Sequence, residues 1–129
     1  MRTAITLRTV AALMLLEAAS LATASTLHLS GHVTGRGALF DADHAGIAEA
    51  LIGTALAGSA VTMLRVPRRA RTLGITANAF ATFGFLWGLN ITARAGHWPD
   101  ITYHLVVLPF LVGGILAAWR AVNPVRSGS

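Results

Sequence analysis

The chain has 129 residues, enough for one domain, and its 54% hydrophobic and 12% charged content excludes an ordinary soluble domain, where charged residues make up about a quarter. A formal net charge of +5 would suit a nucleic-acid partner, but the basic residues are not interleaved with aromatics, so no nucleic-acid surface is expected. There is no cysteine, which removes disulfides, thiolate metal sites and dithiol chemistry and leaves any redox role to a bound cofactor.

The first apolar run, about Val10 to Leu27, is long enough to cross a bilayer core, which takes about 20 residues. Arg2 and Arg8 precede it, and Ala22-Thr23-Ala24 could be taken for the cleavage site of a secretory signal. The run is long for a signal and Glu17 interrupts its centre, so a retained span is the better reading. At about 100° per residue Glu17, Leu21, Ala24 and His28 share one helix face. A membrane carboxyl costs on the order of 2.5 kcal/mol or more and usually marks a site, which makes Glu17 a functional candidate. His28 reads more simply as an interface residue.

The segment 28–44, HLSGHVTGRGALFDADH, is a loop: Gly31, Gly35 and Gly37 break any period, with a short interfacial piece expected at Ala38 to Phe40. His28 and His32 have the spacing of two ligands on one helix face, yet Gly31 lies between them and no further ligand stands at a fixed offset. A second span follows from Ala45 to Leu64. Glu49, Gly53, Ala57 and Ala60 lie on one face, so the acid should point into a bundle where another backbone comes close. Arg65 to Arg71, RVPRRAR, reads as a cytoplasmic loop under the positive-inside rule.

The third span, about Thr72 to Ala93, carries small residues at Ala77, Ala81, Gly84 and Gly88, the last two in a GxxxG pattern. The loop 94–100 holds His97 and Trp98. Asp100 should cap the last span, Ile101 to Trp119, with Tyr103 and His104 on its face. Pro109 is expected to kink that helix.

These elements predict an all-α membrane protein: a bundle of four transmembrane helices in one domain, 1–129, with both termini cytoplasmic. The orientation follows from Arg2, Arg8, Arg65, Arg68, Arg69, Arg71, Arg120 and Arg126 on one side against Arg36 and Arg94 on the other. The five histidines and every acid except Glu17 then collect at the extracytoplasmic end. They form a polar mouth of His28, Asp43, His44, Glu49, His97, Asp100, Tyr103 and His104.

The run Gly46-Ile47-Ala48-Glu49-Ala50-Leu51-Ile52-Gly53-Thr54-Ala55-Leu56 before an arginine-rich turn, within a four-span layout, resembles the DoxX-like small bacterial membrane proteins. The resemblance covers the layout and about a dozen residues; only Gly46, Glu49 and Gly53 carry over. It implies a small subunit of the bacterial cytoplasmic membrane, in some cases tied to quinone-coupled assemblies, and brings no catalytic residue.

Three readings follow. The first is a non-catalytic membrane subunit or binding protein, alone, as a homo-oligomer or in a larger membrane complex. Its mouth would take a quinone or another hydrophobic ligand through Glu17, His28, Glu49, Asp100, Tyr103 or His104. The second is a proton-coupled transporter with Glu17 and Glu49 as proton sites at different depths. The third is a metal or haem protein using His28, His32, His44, His97 or His104. No nucleophile, oxyanion-hole pattern or phosphate loop points to an enzyme.

Overall fold

The computed structural model describes residues 6–35 and 39–121. It contains α1 (Leu7–Leu29), α2 (Ala42–Arg65), α3 (Ala70–Ala95) and α4 (Trp98–Arg120), with a 3-10 turn at Pro67–Arg69 between α2 and α3. All four helices are long and apolar enough to cross a membrane, and each extends beyond its expected span at both ends. At about 1.5 Å per residue the shortest, 23 residues, is about 35 Å long, which exceeds a hydrocarbon core of about 30 Å.

The sequence sets the ends of these helices. The Thr6 hydroxyl accepts from the Thr9 amide at the start of α1, and Asp41 Oδ1 accepts from the amides of Asp43 and His44 at the start of α2. Gly96, at φ 68°, ends α3 in the left-handed conformation that glycine adopts without a Cβ penalty. Pro67 opens the 3-10 turn after α2. Pro109 does not break α4, which runs through it. Of the expected interfacial piece, Ala38 lies outside the described residues, as do Arg2, Arg36 and Arg126; Phe40 is buried and not helical.

Neighbouring helices run antiparallel, α1 packing chiefly on α2 and α3 on α4. Small residues make the close approaches. A Cβ on Gly53 would stand 3.2 Å from Leu21 Cβ, and one on Gly74 would meet Ala118, Met63 and Val10, so three other helices converge there. The shared interior holds Ala11, Met14, Leu21, Leu56, Ala60, Ala81, Phe85 and Leu111. Leu16, Leu51, Phe83, Leu86 and Leu105 face outward, where water would penalise so many large apolar groups and lipid would not.

The antiparallel order gathers Arg8, Arg65, Arg68, Arg69, Arg71 and Arg120 at one end of the bundle, the arginine end. There the Arg71 guanidinium donates to the Ala121 carbonyl and ties the start of α3 to the end of α4. The opposite end, the histidine end, receives residues 30–35 and 39–41, the short 96–97 connection and the first turns of α2 and α4.

Candidate functional site

The GIAEALIG stretch places Gly46, Glu49 and Gly53 on one stripe of α2, and that stripe faces α1. Gly46 lets α1 come close enough that an added Cβ would stand 3.1 Å from His28 Cβ, and Ser25 fastens the contact by donating to the Gly46 carbonyl at 2.7 Å. His28, 3% exposed, is thereby held against Glu49. Its Nδ1 lies 2.7 Å from Glu49 Oε2 and its Nε2 lies 3.1 Å from Asp100 Oδ1. One imidazole thus joins carboxylates from two other helices.

Two protons must occupy those two bonds. With both on the ring, His28 is an imidazolium between two carboxylates, and Glu49, His28 and Asp100 together carry one net negative charge. His97 stands beyond Asp100, Nδ1 3.6 Å from Asp100 Oδ2, and donates through Nε2 to the Thr34 carbonyl at 3.2 Å. Phe40 stacks on the His97 ring with centroids 4.2 Å apart and covers the cluster.

Asp100 corrects the sequence expectation. It does not cap α4: His97 occupies the cap position, and Asp100 lies in the first turn with its carboxylate turned inward to His28. Pro99 precedes it and has no amide hydrogen, so the start of the helix has one fewer donor to satisfy. His28 also departs from expectation, being an interior hub rather than an interface residue.

Tyr103 and His104 extend the site downward. His104 Nδ1 donates to the Asp100 carbonyl at 2.6 Å, and its ring lies over Gly88 so closely that a Cβ there would collide with Nε2. Gly84 similarly accommodates Ile52, with 2.6 Å between its would-be Cβ and Ile52 Cδ1. The two glycines of the GxxxG pattern therefore receive side chains. Tyr103 reaches α1 through Ser20, oxygen to oxygen 2.9 Å, a partner that sequence reasoning missed. A hydroxyl at i+3 from Glu17 on the inward stripe was the available signal.

Glu17 remains apart from this cluster. It is eleven residues from His28 along α1, about 16 Å at helical rise, and 5% exposed. Neither carboxyl oxygen has a hydrogen-bond partner among the described residues. Glu17, Glu49 and Asp100 all lie within electrostatic range of Tyr103, so the phenol stands between the upper and lower acids.

The structure thus brings His28, Glu49, Asp100 and His97 together with Tyr103 and His104 alongside. It leaves His32 exposed on Ser30 and the His44 side chain 84% exposed; Asp43 is also exposed. No group of three or more His, Asp and Glu among the described residues is arranged to hold a metal ion.

Beside the cluster, between α2, α3 and α4, lies a cavity of about 550 Å³. Ile52, Phe85, Trp87 and Ile91 supply apolar walls, and Glu49, Asp100, Tyr103 and His104 bring polar atoms to one side. Exposed Ala48 and Trp87 form part of its rim, so it opens sideways between α2 and α3. Apolar walls with a few convergent polar groups are typical of small-molecule sites. No family model, curated protein or solved structure matches this chain.

Proposed function

We propose that the chain is a small integral protein of a bacterial cytoplasmic membrane, with its arginine end in the cytoplasm. It binds an apolar molecule by a polar head in the cavity between α2, α3 and α4. The observation that supports this reading is the joining of apolar walls to Glu49, Asp100, Tyr103 and His104 in one laterally open space. A quinone or another hydrophobic ligand of similar size fits the volume, and the DoxX-like pattern at Gly46, Glu49 and Gly53 agrees with such a subunit role.

Native mass spectrometry of the chain extracted gently from its own membrane tests the reading. A retained molecule of defined mass is expected, and it should be lost from Ala48→Trp, whose indole would fill the rim. An identical retained mass in that variant, or none in either protein, would overturn it.

Glu17 supports a second reading, a proton-coupled transporter with Glu17 and Glu49 as proton sites. A buried carboxyl with no hydrogen-bond partner among the described residues costs stability and is retained where its protonation is used. Undiminished flux by Glu17→Gln in proteoliposomes would remove this reading.

A further inference from the structure

Among the described residues, the cavity offers a ligand acceptors and has few donors left to give. His104 uses its Nδ1 hydrogen on the Asp100 carbonyl, so the neutral ring has only a lone pair at Nε2. Ser20 has one hydroxyl hydrogen and gives it to the Glu17 carbonyl at 2.8 Å. Tyr103 must therefore be the donor in its bond to Ser20, and its hydrogen is taken. Thr92 donates into its own helix, to the Gly88 carbonyl.

The first turn of α2, a natural site for anions, is occupied as well. Its amides at Ala42, Asp43, His44 and Ala45 are taken by the Gly35 carbonyl and by Asp41. Glu49 has committed only Oε2, to His28. At the inner, polar side of the cavity Glu49 Oε1, Asp100 Oδ2 and His104 Nε2 remain, and all three accept; the Trp87 indole N–H and the exposed His44 ring belong to its outer rim. Among the described residues no arginine lines the cavity, while the Phe85 and Tyr103 rings, with centroids 5.7 Å apart, do.

We propose that this cavity takes a lipophilic ammonium ion: a protonated primary or secondary amine on an apolar body. Its N–H groups are received by Glu49 Oε1 and His104 Nε2, and its body lies on Phe85 and Tyr103. The inference rests on the cavity being a ligand site, as proposed above, and names the ligand class. At the Glu49–His104 side a carbonyl or anionic head would bring acceptors to acceptors. An ammonium brings the missing donors, offsets the net negative charge of Glu49, His28 and Asp100, and gains cation–π attraction from the rings. Glu49 and Asp100 lie at this end, and Arg8, Arg65, Arg68, Arg69, Arg71 and Arg120 lie at the other, a field that draws cations toward the polar side of the cavity.

The test is isothermal titration of the purified full chain in detergent at neutral pH. The probes are adamantan-1-ylammonium, its neutral isostere adamantan-1-ol and a short-tailed quinone. The ammonium should bind about tenfold or more tightly than the alcohol, the effect of hydrogen bonds to a charged group. Glu49→Gln should abolish that preference, Glu49→Asp should keep part of it, and Ala48→Trp should block binding of every probe. The comparison of probes on the unmodified chain needs no variant, so misfolding cannot mask the result. If the alcohol or the quinone binds as tightly as the ammonium and Ala48→Trp blocks it, the ligand class is wrong and the cavity reading stands. If no probe binds in a manner that Ala48→Trp blocks, both fall.

Discussion

Replacing His28 by alanine tests whether the bundle is organised around one imidazole shared by two acids. In the native protein the ring separates Glu49 and Asp100, whose side chains are 10% and 7% exposed. Without it two buried carboxyls each lose the imidazole nitrogen that they are bonded to. Removing one partner of a buried ion pair costs about 3–5 kcal/mol. In a Glu49→Gln/Asp100→Asn background the same substitution removes packing and neutral hydrogen bonds, about 1–2 kcal/mol. The difference, a coupling of about 1–4 kcal/mol, is the predicted quantity. Reversible unfolding in mixed SDS–detergent micelles, followed by circular dichroism on the four proteins of the cycle, measures it. A coupling below about 0.5 kcal/mol, the range of additivity for independent sites, would refute the shared-imidazole account even if each variant were destabilised.

Glu17→Leu removes a buried carboxyl that has no hydrogen-bond partner among the described residues, so it should raise the unfolding free energy by about 1–3 kcal/mol, read in the same micelle titration; a loss would mean that the carboxyl contributes to holding the fold. Gly88→Ala should displace the His104 ring, since the added methyl would overlap it. A cost of about 1–3 kcal/mol and weakened ammonium binding are expected. Gly113→Ala on α4, where a Cβ meets nothing within 4 Å, should instead be neutral or stabilising by about 0.5–1 kcal/mol. Equal melting behaviour of these two variants would contradict the packing described around His104.

The four helices were legible in the sequence because each is decided locally. A long apolar run, a cap such as Asp41, or a glycine at a helix end acts within its own few residues. Each run nonetheless began and ended beyond its expected limits, since polar residues at a helix end still form intrahelical hydrogen bonds when neighbouring helices support them. The inward stripe of α2 was legible for the same reason. Gly46, Glu49 and Gly53 recur at helical spacing, and the acid's direction follows from which side small residues allow another backbone to approach.

The partners of those residues were not legible, because partnership depends on how far apart in the chain two stripes are brought level. That Glu49 meets His28, 21 positions away, and that His28 meets Asp100, 72 positions away, depends on the vertical offset of three helices. A shift of one turn, about 5.4 Å, would part all three. The expected capping role of Asp100 failed for this reason: the local rule is sound, but a buried imidazole on another helix competes for the same oxygens and has more to lose if unpaired. The sequence by itself thus determined the helices, the stripe each turns inward and the gathering of arginines at one end, which are consequences of local period and charge. Only the tertiary packing decided that Glu17 has no hydrogen-bond partner among the described residues, that His32 and His44 stay outside, and that Glu49, Asp100 and His104 face one cavity. Side chains remote in the chain share a site only when the small residues between helices set the distance and register of their backbones.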